Sequence, residues 1–117
     1  MNNEDILKKI YEKVEEERRN YKGPHCCLTM DAELSKDGAV LYYSARYREY
    51  GVKLPKSSGG ILMDYCMFCG KKLPKSVSDE WFAILENEYG LERPLTADRK
   101  KISQEFLTDE WWKKRGL

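Results

Sequence analysis

The residues of this 117-residue chain best suited to chemistry are its four cysteines, which fall in two groups. Cys26 and Cys27 are adjacent and follow His25, the one histidine; Cys66 and Cys69 frame a Cys-x-x-Cys followed by Gly70. Cys-x-x-Cys-Gly after a strand reads as a zinc knuckle. A tight turn aims two thiolates at one point, backbone amides solvate their charge, and glycine permits the left-handed residue such a turn needs. A second group of soft ligands at another place in the chain can complete a four-coordinate site, and soft ligands select zinc. The expected cofactor is therefore a structural Zn2+. Three candidates compete for the two remaining places. If residues 25–27 are extended, His25 and Cys27 share a face and Cys26 points away; if they form a turn, Cys26 and Cys27 both bind. Thiolates hold zinc more strongly than imidazole, so the favoured set is Cys26, Cys27, Cys66 and Cys69, with His25 as the alternative to one of the first two.

Two other readings of the thiols compete with this one. Free cysteines are often ordinary buried residues. A Cys-x-x-Cys can also be a redox pair, but such pairs open a long helix, and here Gly70 and Pro74 follow Cys69. Four protein ligands leave no open position for water or substrate, so the site reads as structural. The chain has no glycine-rich phosphate loop, no Gly-x-Ser-x-Gly elbow and no metal-protease histidine motif. Its carboxylates gather at helix starts, where capping explains them. No enzymatic activity is expected.

The elements that must position these ligands form an α+β arrangement. Residues 3–22 predict a helix, with Ile6, Leu7, Ile10, Tyr11 and Val14 as a narrow apolar stripe and Asn3 as its cap. Glu4–Lys8, Asp5–Lys9 and Glu15–Arg19 are spaced as helix ion pairs, and Gly23-Pro24 stops the helix. Ala39–Tyr47 and Ile61–Tyr65 predict strands of a small antiparallel sheet. Residues 28–35 fit either a short strand or a helical turn. Two short helices follow, with Ser78 and Thr108 as caps. Val77 and Leu107 are placed to staple onto Phe82 and Trp112, and Gly90 ends the first helix with Leu91 folding back on Leu85. Adjacent Trp111 and Trp112 point about 100° apart on a helix, so Trp111 is expected to be buried and Trp112 partly exposed. The chain reads as one zinc-stabilised domain over residues 1–117: an N-terminal helix (1–22), a β-rich zinc-binding centre (23–75) and a helical part (76–117).

Hydrophobic residues make up 41% and charged residues 35%, which excludes disorder. The net charge of +1 hides segments: 45–75 is mainly basic, 76–98 acidic and 99–117 basic again. Phosphate binding needs a concentrated basic surface. One is conceivable from Arg46, Arg48, Lys53, Lys56, Lys71, Lys72 and Lys75, which makes a nucleic-acid-binding zinc ribbon the alternative function. No apolar run approaches a membrane span and no signal peptide is evident, so a cytoplasmic location is expected.

His25-Cys26-Cys27, Tyr65-Cys66 to Cys69-Gly70, Leu73-Pro74-Lys75-Ser76, Asp79-Glu80-Trp81-Phe82 and Asp109-Glu110-Trp111-Trp112 occur in this order. Together they resemble an uncharacterised family of small bacterial and phage proteins with a zinc-ribbon-like centre, over roughly residues 25–114. Met67 stands where that family commonly has proline. The resemblance implies no known activity. Small size, absent catalytic groups and eight Tyr, three Trp and three Phe point to binding of a protein partner. An inhibitor or immunity-type factor of phage or bacterial conflict systems is the expected kind.

Overall fold

The computed structural model describes residues 2–117. Helices α1 (Asn3–Asn20) and α2 (Leu28–Leu34) precede strands β1 (Leu41–Ser44), β2 (Glu49–Lys53) and β3 (Gly60–Leu62). Helices α3 (Ser78–Tyr89) and α4 (Glu110–Lys114) follow, separated by 3-10 turns at Arg99–Lys101 and Gln104–Leu107. The class is α+β, with an antiparallel three-stranded sheet in the order β1-β2-β3. The chain packs as two compact units: Met1–Val40 with Tyr65–Leu73, and Leu41–Asp64 with Pro74–Leu117. The cysteines all belong to the first unit and the sheet to the second, so the grouping differs from a β-rich zinc-binding segment at 23–75.

In the first unit, the cap of α1 lies one residue before the expected one. Asn2, not Asn3, caps it, its side chain accepting the Asp5 N–H at 2.9 Å, with Glu4 and Asp5 at the positive end of the helix dipole. Glu15 pairs with Arg18 at 3.1 Å, not with Arg19, and among the described residues neither Glu4–Lys8 nor Asp5–Lys9 forms an ion pair. The helix ends at Asn20, because Tyr21 turns extended before Gly23-Pro24 is reached. No residue of α1 is buried: its apolar stripe runs from 37% exposed at Val14 to 67% at Tyr11. Residues 28–34 are helical, capped by Cys27, whose sulfur accepts the Met30 N–H at 3.4 Å. A cysteine sulfur is not among the usual N-cap signals, so the residues of this segment fit a strand or a helix equally well.

In the second unit, β1 is shorter than its apolar run, and its partner β2 has no sequence signal of its own. Glu49-Tyr50-Gly51-Val52-Lys53 mixes charge with a glycine, both poor strand formers. Its register explains the glycine. Gly51 lies opposite Tyr42, whose ring covers the place a Cβ would occupy, and beside it Tyr43 packs on Tyr50 with centroids 4.5 Å apart. The core is Val77, Trp81, Leu85, Leu91, Phe106 and Trp111. Val77 packs into this core while Phe82 lies at its edge, 39% exposed. The oxygen that receives the Ser78 N–H is that of Ser76, at 3.2 Å, so Ser78 is the first helical residue and not the cap. Helix α3 closes at Gly90 with Leu91 N–H on Leu85 O, as its sequence demands. At α4 the Thr108 hydroxyl accepts the Glu110 N–H at 3.2 Å.

All three indoles donate to backbone carbonyls: Trp81 to Phe106, Trp111 to Arg46 and Trp112 to Ala45, at 2.8, 2.8 and 2.7 Å. Adjacent Trp111 and Trp112 therefore read adjacent carbonyls in the loop between β1 and β2. This is how two rings 100° apart both find a partner. Trp111 is fully buried and stacked 5.9 Å from Phe106, and Trp112 is half-buried. Trp111→Ala removes a buried ring and leaves the Arg46 carbonyl without its donor. It is expected to cost ~3–5 kcal/mol, and Trp112→Ala clearly less, in denaturant unfolding followed by circular dichroism. Equal losses from the two would contradict this packing.

Candidate metal centre

The first half of the site is a turn built by its own backbone. Tyr65 and Lys72 form an antiparallel bridge, Cys66 N–H donates to Lys71 O at 2.9 Å, and Gly70 N–H donates back to Cys66 O at 2.9 Å. Gly70 sits at φ +76°, a conformation that a side chain would strain. The closed turn aims the amides of Phe68 and Cys69 at the Cys66 sulfur, at 3.4 and 3.5 Å. This is the arrangement that holds a thiolate without a countercharge. No helix starts at Cys69, the next one being α3 at Ser78, which removes the structural basis of the thioredoxin-like reading.

The second half comes from the loop joining α1 to α2. The Tyr21 hydroxyl donates to Asp31 of α2 at 2.7 Å and accepts the His25 N–H at 3.2 Å, pinning the loop at both ends. Cys27 is held by capping α2. Its sulfur then lies 3.8 Å from that of Cys66. All four sulfurs, of Cys26, Cys27, Cys66 and Cys69, lie within 4.8 Å of one another. A tetrahedron with Zn–S bonds of about 2.3 Å has sulfur–sulfur edges of roughly 3.8 Å. The cluster is therefore at, or within about 1 Å of, the dimensions of such a site. The cysteines are free, and the four of them can hold a metal ion. His25 does not join this group. Burial in an apolar core does not describe it either, since Cys66 is buried but Cys69 is exposed.

The protonation of the metal-free cluster follows from its geometry. Burial pushes the Cys66 thiol up, but the Cys69 and Phe68 amides and the Cys26 and Cys69 thiols outweigh it and bring it down to about 7. Burial and the neighbouring Cys66 and Cys69 sulfurs push Cys26 well above the usual thiol range. Burial likewise raises Cys27, against the opposing Met30 amide. Cys66 is thus poised to ionise near neutral pH while Cys26 and Cys27 hold their protons, because adjacent thiolates repel.

Comparison with protein families matches residues 15–114 to a family described as a domain of unknown function (DUF6980). The chain belongs to this family. The family's span takes in all four cysteines and leaves the first three turns of α1 outside. No curated protein and no solved structure matches the chain.

The structure gathers the four cysteines that the motif singled out, and it engages two of the seven basic residues of the conceived surface, Arg46 and Arg48, in other contacts. Arg46 lies over the Tyr47 and Trp81 rings, and Arg48 lies over Trp112 while its Nε donates to Lys75 O at 2.9 Å. Both arginines are engaged in packing. The cations beside the sulfurs are instead Arg18, Arg19 and Lys71, and the two arginines carried no signal beyond suiting a helix C-terminus. No described helix is long and apolar enough to cross a membrane.

Because Cys26 and Cys27 hold their protons above the usual range, binding a divalent metal must expel them. Titrating zinc into the reduced, metal-free chain in weak buffer at neutral pH is expected to release at least those two protons per ion. Apparent affinity is expected to fall with pH across the neutral range and more steeply below about 7, where Cys66 also protonates. Zinc uptake without proton release would contradict the ligand set.

Proposed function

We propose that this is a non-enzymatic zinc-binding protein that works through contact with another protein. A structural Zn2+ on Cys26, Cys27, Cys66 and Cys69 completes its first unit. The observation that carries the reading is the convergence of four sulfurs from two distant chain segments within 4.8 Å. Four soft ligands in a tetrahedral set favour zinc over hard cations, and a full protein set leaves no place for a substrate. The unit has little else to hold it: among its described residues only Met30, Cys66 and Leu73 are buried.

The binding role rests on what the surface displays. The indoles are engaged within the fold, so the tryptophans are not the recognition surface. The exposed apolar side chains of α1 and of the knuckle remain available to a partner. The finer reading, an inhibitor or immunity-type factor acting in a cytoplasm, is supported by the small size of the chain, its lack of catalytic motifs and its fourteen aromatic residues.

Purified protein is expected to carry one zinc per chain by elemental analysis. A structural zinc contributes ~10–16 kcal/mol of apparent folding free energy, comparable with the whole stability of a small domain. Strong chelation should therefore melt the first unit, Cys66→Ser and Cys69→Ser should abolish stoichiometric zinc, and His25→Ala should retain it. Chelated, metal-free protein with an unchanged melting temperature would sink the proposal.

A further inference from the structure

A cleft of about 600 Å3 opens beside the sulfurs, lined by Arg18 and Arg19 from the last turn of α1 and by Met67, Phe68 and Lys71 from the knuckle. No carboxylate lines it. A zinc ion with four thiolates carries a charge of about −2, which Arg19 and Lys71 offset, so the metal in place does not leave the cleft negative. Arg18 shares its charge with Glu15 at 3.1 Å. Arg19 and Lys71 have no carboxylate at ion-pair distance among the described residues. The helix dipole explains two arginines at the end of α1, but not the lysine facing them from another segment.

The knuckle adds apolar surface where its turn does not require any. The amide of Phe68 serves Cys66, yet its side chain is 38% exposed, and that of Met67 is 68% exposed. A flexible thioether adapts to partner side chains but offers no ring for a base to stack on. The other aromatic at the cleft, Tyr21, has its hydroxyl engaged by Asp31 and His25. Guanidinium groups, in turn, match carboxylates in a two-pronged geometry.

We propose that this cleft docks an acidic peptide segment of a protein partner, its carboxylates on Arg19 and Lys71 and an apolar side chain on Met67 and Phe68. The proposal rests on the binding role above and gives it a site and a partner chemistry. The test uses the full chain after its zinc content has been measured. The probe is a short fluorescein-labelled Glu-rich peptide with a central Phe, followed by anisotropy. Its counterpart with Gln for Glu, and single-stranded oligothymidine, are run beside it.

Binding of the acidic peptide alone, weakening as salt rises, is expected. Arg19→Glu combined with Lys71→Glu should weaken it at least ~tenfold by placing like charges together. Met67→Ser should weaken it too, with zinc content and melting temperature kept in both variants. Equal binding of the Gln peptide, or tighter binding of oligothymidine, overturns the proposal while leaving the zinc reading intact. Loss of zinc from the charge-reversed variant also overturns it, because the cations would then serve the metal and not a partner. A chain that carries no zinc from the outset breaks the earlier reading instead.

Discussion

Four sulfurs within 4.8 Å of one another cannot all be anions unless a cation sits among them. Two thiolates 4 Å apart repel by about 4 kcal/mol at an effective dielectric of 20, and the cluster contains several such pairs. Without a metal, Cys26 and Cys27 therefore hold their protons, and Cys66, brought down to about 7, is the sulfur that ionises. With a divalent cation the sign of every interaction changes, and the thiolates that opposed one another become its ligands. The proposed zinc would give the first unit that reversal. The unit buries Met30, Cys66 and Leu73 and no other described residue, far too little apolar surface to hold two helices and a knuckle by burial. In the proposed reading, a metal takes the place that a hydrophobic core occupies elsewhere.

The second unit is built on the opposite principle. Trp81, Phe106 and Trp111 are almost wholly buried around Val77, Leu85 and Leu91. The polar edge of each indole is satisfied by a carbonyl, which removes the cost of burying it. Two of those carbonyls belong to the loop between β1 and β2, so the last helix fixes that loop as well as closing the core. Arg46 and Arg48 complete the packing by covering aromatic faces. Two ways of reaching stability, coordination and aromatic burial, thus divide one short chain between them.

The legible parts of the sequence were those where one residue type has one physical use. Cysteine pairs point to a metal, Gly90 to a helix end, and a two-tryptophan helix to one buried and one half-exposed ring. What escaped notice depends on contacts across the chain. Strand β2 exists because Tyr42 covers Gly51 and Tyr43 meets Tyr50, neither of which a five-residue window reveals. Helix α2 is started by a cysteine sulfur, and α3 by Ser76, which Glu49 Oε2 holds at 2.6 Å. The basic stretch at 45–75 left one phosphate-binding surface conceivable. Its arginines turned inward onto rings, while Arg18 and Arg19, which looked like a helix end, reached the site.

The account turns on the identity of the atoms around one ion. Zinc K-edge X-ray absorption on protein purified without added metal or chelator reads them directly. Four sulfur scatterers at about 2.3 Å are predicted. A first shell containing nitrogen at about 2.0–2.1 Å would put His25 in place of a cysteine, and the absence of a zinc edge would contradict the account at its centre.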